Sequence, residues 1–419
     1  MSHQDKSVKN EDGECMHTYE RSRMDASVAV NTQLGNSQGA TSCNTAPPKY
    51  NSLEVVNLGI DSLYLSYSGS LPITRCRQLE LLKTQAQSYD PTDQGNARVE
   101  LGGMTFRVFK HGRSPHAYLL GNNLFSIRVA SSTANSVPVA YVEISSELLN
   151  LNGVESALAI SDSLVAELVG EACFSKVSRA DIFVDFVSRV DWNAVDNEQW
   201  ACRSSRKGDY YDTQQLTGST FGQGGDLSAR LYNKTIEIES SKKAFFRDIW
   251  LANGWDSSSP VWRLEFQLRT IPLREFGISE PISLLEQLNG IWRYCTEKWL
   301  TLRTNNGDVN RSRWPLADIW QAIIEVDIGA QKQLPLRRVK VETTPTRDWL
   351  VIYLLGGLTS YMAANGHSDI EHAFNRFIHD ADEYFTEHKR YGFSRVNEYV
   401  EARVAEKSTR FCMSNVTKE

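Results

Sequence analysis

The stretch WRLEFQLR, residues 262–269, alternates without a break between apolar and polar side chains. A period of two puts Trp262, Leu264, Phe266 and Leu268 on one side of a strand and Arg263, Glu265, Gln267 and Arg269 on the other. A strand built this way sits in a sheet whose one face lies on a core while the other holds charge. Two more stretches repeat the pattern. In SRADIFVDF, Arg179, Asp181, Phe183 and Asp185 lie opposite Ala180, Ile182, Val184 and Phe186. In ARLYNKTIEIE, Arg230, Tyr232, Lys234 and Ile236 lie opposite Leu231, Asn233, Thr235 and Glu237. The polar sides of these strands therefore mix both signs of charge with one phenol.

The flanking pattern sets the fold class. VVNLGIDSLYLSYSG reads as a strand and ITRCRQLELLKTQAQSY as a helix. ARVELGGMTFRVFKHGR, HAYLLGNNLFSIRVA and PVAYVEISSELL are strand segments parted by Gly- or Ser-rich turns. VESALAISDSLVAELVGEAC is a helix, with Leu158, Ile160, Leu164, Leu168 and Val169 on its apolar side. The order β-α-β-β-β-α-β predicts an α+β fold with an antiparallel sheet and flanking helices, not a parallel nucleotide-binding sheet. LTGSTFGQ and the ARLYNK strand predict a hairpin around GQGGD, and from Ile282 the pattern turns mainly helical. A length of 419 residues exceeds one modest core. The expected division is a disordered polar tail over 1–50, an α+β domain over 51–278 and a mainly helical region over 279–419. The helical region would read DNA or oligomerise; LLGGLTSYMAANG and IEHAFNRFIHDADEYF form a helix-turn-helix-like pair.

WLVIYLLGGLTSYMAA, residues 349–364, falls short of the roughly 20 residues that span a bilayer and predicts a buried helix. The N-terminus lacks an apolar leader core, so no signal peptide and no membrane partner are expected. The 7 cysteines are odd in number, widely spaced and without CxxC, which predicts free thiols in a reducing cytoplasm.

Lys plus Arg is 45 against 51 Asp plus Glu, a net charge of -6. That excludes a wholly basic nucleic-acid coat but not local basic patches. FRVFKHGRSPHAY gathers Arg107, Lys110, His111, Arg113 and His116, where Lys110 and Arg113 are candidates for a DNA backbone. CRSSRKGDYY sets Arg206 and Lys207 before Tyr210 and Tyr211, cations beside stacking aromatics that suit single-stranded DNA. LRRVKVE is a third basic spot, and for all three a solvated surface is the competing reading. No GxxxxGK[ST] loop occurs, so unwinding would fall to a host helicase. No HExxH occurs, and His367, His372 and His379 read as surface residues.

Asp181 and Asp185, two apart on one strand face, make a plausible hard-cation site that Glu265 would complete from a neighbouring strand. A cross-strand salt-bridge ladder is the competing reading. Tyr232, between Arg230 and Lys234, has the cations that stabilise a phenolate and a phosphate alike. An ordinary core or surface tyrosine competes with that.

In order, GIDSLYLSYSG, PVAYVEISSELL, SRADIFVDF, GSTFGQGG, ARLYNKTIEIE and VWRLEFQLR resemble the Rep_trans family. Its members are replication initiation factors of rolling-circle plasmids and phages, and relaxases of some integrative conjugative elements. The resemblance covers Val55 to Gly277 well and the helical remainder weakly. It implies a Rep/relaxase-type nicking sheet in which Tyr232 attacks an origin phosphate, leaving a 5'-phosphotyrosine and a free 3'-hydroxyl. It implies Asp181, Asp185 and Glu265 as ligands of Mg2+ or Mn2+. Lys234 and Arg230 would neutralise phosphate charge, with Arg179 and Arg263 helping from neighbouring strands. Glu237 is a weaker candidate, because alternation sets it opposite Tyr232 unless a bulge intervenes. Related nicking enzymes use a histidine pair; no HxH occurs here, and a carboxylate metal site is the consistent version. Many relatives have His where this chain has Tyr141. The implied partners are origin DNA, single-stranded at the nick, and a second copy of the chain. The alternative keeps the fold without catalysis, as a sequence-specific DNA-binding protein in which the three acids are structural. The residues do not choose between replication initiator and conjugative relaxase.

Overall fold

The computed structural model describes residues 49–50, 53–131, 137–170, 173–329, 333–339, 347–388 and 392–415. The tail expected over 1–50 lies almost wholly outside them. The chain divides into two compact units, 1–338 and 339–419.

Among the described residues, the first unit is built on one antiparallel sheet of 12 strands. In chain order these are β1 (Lys49–Tyr50), β2 (Leu53–Tyr67), β3 (Arg98–Leu101), β4 (Met104–Val108), β5 (Tyr118–Gly121), β6 (Phe125–Val129), β7 (Ala140–Ile144) and β8 (Ser175–Ser188). β9 (Trp200–Cys202) stands outside the sheet and pairs with β14 (Leu300–Leu302). β10 (Lys207–Asp212), β11 (Gln215–Phe221), β12 (Leu227–Asn233) and β13 (Trp262–Arg269) complete it. The spatial order is β10-β11-β12-β13-β8-β2-β7-β6-β5-β4-β3, with β1 on β2. The stretches before and after Gly102–Gly103 form a hairpin, β3 and β4, because both glycines take the positive φ that a two-residue turn demands, 58° and 72°.

The apolar side of the sheet is the core. On β3 to β7, Val99, Phe106, Leu120, Ile127 and Val142 are buried in one cluster with residues of the helices Ile73–Ala86 and Val154–Val169. On β8, β12 and β13, Val184, Leu231, Leu264 and Phe266 belong to the same cluster, beside Trp292, Trp299 and Trp320. Phe266 meets Trp292 edge-on at 5.5 Å and Trp299 at 6.2 Å. These tryptophans come from the helical region that follows residue 281. The boundary expected at 278/279 therefore falls inside the first unit, because the apolar face of β8, β12 and β13 needs that helical segment as its cover.

One strand ends earlier than its alternation suggested. β12 stops at Asn233, whose side chain accepts from the Ile236 backbone N–H at 3.2 Å and caps a helix, Lys234–Ser241. A second helix, Phe245–Ala252, follows, and both lie over the polar side of the sheet at the β13 and β2 positions. Val56, Ile238, Phe246, Trp250, Trp255 and Val261 form a small core there.

The second unit has three helices among its described residues, Arg347–Asn365, Ile370–His388 and Val396–Asn415. The first was expected to be buried. Instead Ile352 is 70% and Leu354 67% exposed. Its apolar residues run consecutively from Leu350 to Leu355, so they point all round the helix, and one neighbouring helix covers only a stripe. Among the described residues no helix is long and apolar enough to cross a membrane.

Candidate functional site

Strand register brings the residues chosen from the sequence onto one face. Tyr232, Arg263 and Asp185 lie in one cross-strand row, and Arg230, Glu265 and Phe183 in the next. Gln267 and Asp181 follow in a third. The face then divides into a covered end and an open end.

At the covered end Arg263 is fully buried. Its Nε donates to Asp185 Oδ1 at 2.5 Å and its Nη2 to Oδ2 at 2.8 Å, while Nη1 donates to Asp61. The guanidinium lies 3.8 Å from the Phe183 ring centroid and 4.5 Å from that of Phe246. Trp250 Nε1 adds a bond to Asp185 Oδ2 at 2.9 Å. Burial pushes the Asp61 carboxyl up, but the charges of Arg263, Lys243 and Lys234 outweigh it and hold the group at about 2. Arg263, expected to help neutralise phosphate, is instead the structural cation of this end, sealed by the helix Phe245–Ala252. Sequence reasoning missed Asp61. Its signal was an acid inside the β-rich run LGIDSL, but a break in register between Ile60 and Ser62 is what turns it to Arg263.

Lys234 opens the helix after β12 and is buried. Burial and the charge of Arg263 lower its pKa. Its Nζ sits 2.5 Å from Glu237 Oε2 and 3.5 Å from Tyr232 Oη. The helical turn, not a bulge, thus brings Glu237 to the tyrosine's side and overturns the alternation that set it opposite.

At the open end Tyr232 Oη donates to Glu265 Oε2 at 3.1 Å. Arg230 Nη2 bonds the other oxygen, Glu265 Oε1, and lies 3.6 Å from Asp181 Oδ2. Arg179 holds Asp181 with two bonds, 2.8 Å from Nε and 2.6 Å from Nη2. Burial raises Asp181 to about 6, with the Glu265 charge adding and Arg179 and Arg230 opposing. Burial and the Glu265 charge likewise push the Tyr232 phenol well above its ordinary value. Arg230 keeps 43% of its side chain exposed and is the cation here that an incoming anion can reach. Gly218 faces Tyr232 across the strands, and a Cβ there would stand 2.8 Å from the tyrosine Cβ. The glycine makes room for the phenol.

The three acids do not converge on one point. Asp185 belongs to Arg263 and Trp250, while Asp181 and Glu265 belong to Arg179 and Arg230. Among the described residues their ligand atoms form no group within 4.8 Å of one another. Each carboxylate is already matched by a guanidinium, so the donor set as arranged does not fit a divalent cation. The described group that meets the distance is His379, Asp380 and Glu383 in the second unit, where Asp380 is already bonded by Tyr361 and Arg376.

The other predicted DNA contacts lie apart. Lys110 and Arg113 are exposed in the turn after β4. Arg206 precedes β10 and is exposed; Lys207 starts β10, the sheet edge, and pairs with Asp209 at 2.7 Å. Lys340 of the LRRVKVE spot lies outside the described residues. Cys202 and Cys295 are free thiols.

No protein-family model matches the chain, so the Rep_trans resemblance rests on the residues alone. No curated protein matches it either. Among solved structures the chain is similar to a rolling circle replication initiator protein from Geobacillus stearothermophilus. The two share 16% identity with a TM-score of 0.37, over 69% of this chain and 99% of that one.

Proposed function

We propose that the chain nicks one strand of DNA by transesterification on Tyr232, at an origin of replication or of conjugative transfer. The observation that supports it most is the Tyr232 hydroxyl bonded to Glu265 beside the exposed Arg230. In the step, Tyr232 Oη forms a bond to phosphorus and the bond from phosphorus to the 3'-oxygen breaks. The phenolic proton passes to Glu265, and the departing 3'-oxygen takes a proton from solvent to become a hydroxyl that can prime synthesis. Arg230 offsets the charge that builds on the non-bridging oxygens. Single-stranded DNA at the nick is the substrate, and a separate helicase would unwind ahead of it.

A second reading keeps the DNA and drops the cut. It is favoured by the raised pKa of Tyr232 and by the pairing of all three acids with arginines. Tyr232→Phe separates the two in an assay on supercoiled plasmid carrying the origin. Nicking should be lost with DNA binding kept; retained nicking overturns the role of Tyr232. Parallel reactions with Mg2+ and with EDTA read any metal requirement separately.

A further inference from the structure

We propose that the open half of the same sheet face is a track for single-stranded DNA leading to Tyr232. The proposal rests on the nicking reading for its destination, but its evidence lies on other strands. Register runs a row of side chains across the sheet from Arg98 on β3 through Arg107 on β4 to Tyr64 on β2 and Arg179 on β8. A neighbouring row adds Arg128 on β6 and Tyr141 on β7. All six are at least partly exposed, because the helices that cover the apolar side are on the other face of these strands.

The middle of this surface is continuous contact. Arg128 lies 5.2 Å over the Tyr141 ring, Tyr141 is 6.0 Å from Tyr64, and Arg179 lies 4.8 Å over Tyr64. Arg179 holds Asp181, which faces Arg230 and so the hydroxyl of Tyr232. The surface is also concave. A cavity of 590 Å³ lined by Arg98, Arg107 and Asn123 adjoins one of 200 Å³ lined by Asn123, Ser62, Lys242 and Lys243. Ser62, which lines the second cavity, stands opposite Asp181 in register.

Charge selects the occupant. Among the described residues Arg98, Arg107 and Arg128 have no ion pair, in contrast to Arg179, Arg230 and Arg263. Of the acids on this surface, Glu143 accepts from Tyr64 Oη at 2.8 Å and Glu100 from Thr105 Oγ1 at 2.6 Å, and Glu143 and Glu147 share the smaller cavity with Lys242 and Lys243. Guanidinia without an ion pair on β3, β4 and β6, one and two strand spacings of about 4.8 Å apart, suit a phosphate backbone. Partly exposed tyrosines between them offer ring faces to unpaired bases, which a duplex keeps inside its stack. From Arg128 on β6 to Tyr232 on β12 the path crosses five strand spacings, about 24 Å, and also runs along β8 from Arg179 towards Asp185, the position in register with Arg263 and Tyr232, about 20 Å further.

The test is binding of a labelled single-stranded oligonucleotide to the full chain across a salt series. Arg107→Glu with Arg128→Glu should raise Kd about tenfold or more and reduce the slope of log K against log salt by about 1.4, at roughly 0.7 per phosphate. Tyr141→Leu should raise Kd about five- to a hundredfold and leave the slope unchanged. Wild-type Kd and slope in a folded double variant would overturn the track. So would unaltered binding by Tyr141→Leu, which carries the test if the charge reversals do not fold. A duplex of the same sequence bound as tightly, and weakened as much, would also overturn it. Binding reads the track and Tyr232→Phe cleavage reads the nick, so either can fail while the other stands.

Discussion

Two ends of one sheet face use the same residue types to opposite effect. At the covered end Asp61 and Asp185 enclose one buried guanidinium, and three neighbouring cations hold Asp61 at about 2. At the open end Asp181 and Glu265 lie side by side, and Asp181 rises to about 6 despite two arginines. The covered end has its charge closed within the fold. The open end has carboxylates that repel one another, a guanidinium partly in solvent and a phenol between them. A buried ion pair with full hydrogen bonding holds a sheet in place, whereas a guanidinium that is partly in solvent is available to a ligand.

The contrast breaks most visibly at the two arginines. Arg263→Met should lose about 3–5 kcal/mol of folding stability in urea, since Asp185 and Asp61 would remain buried without their cation. Arg230→Gln should cost less, about 1–3 kcal/mol by the same measurement, since buried Glu265 loses its guanidinium but keeps the Tyr232 hydroxyl and can bond the new amide. Its main effect should appear instead as a drop in nicking of about a hundred- to a thousandfold. Equal losses of stability in the two variants would erase the distinction. Trp250→Phe removes one bond to buried Asp185 and should cost about 1–3 kcal/mol in the same denaturation.

The smallest effect is in pH. The Asp181 carboxyl, raised to about 6 from 3.8, binds its proton more tightly in the folded chain. Its contribution is present below 3.8 and lost as pH rises through about 6. Asp61 runs the other way: its contribution holds above 3.8 and is lost as pH falls towards 2. Melting temperatures from pH 4 to 7 should therefore fall less in Asp181→Asn than in wild type. An identical slope in both would place no titrating acid at that site.

Much of this face was legible because a strand has a period of two. The alternation in 178–186 and 260–269 placed Asp181, Asp185, Arg263 and Glu265 on one side before any contact was known. It did not tell which acid meets which base. Asp185 and Glu265 share a face, but register sets Asp185 opposite Arg263 and Glu265 opposite Phe183. One row of offset decides whether a carboxylate is sealed or faces the tyrosine. Alternation was also carried too far past Asn233, where a cap starts a helix and brings Lys234 and Glu237 together.

By itself the amino-acid order determined the antiparallel sheet, its apolar and polar sides, and the company of Tyr232 with Arg230. These follow from local periodicity, which each segment carries alone. Tertiary structure decided that Asp61 belongs to the site's face, that Arg263 is a plug, and that the helical segment to residue 328 is part of the sheet's core. It also set Arg98, Arg107, Arg128 and Tyr141 on the same sheet face as Tyr232. These depend on bulges, register and the ordering of strands far apart in the chain, and such pairings are set by the whole packed sheet.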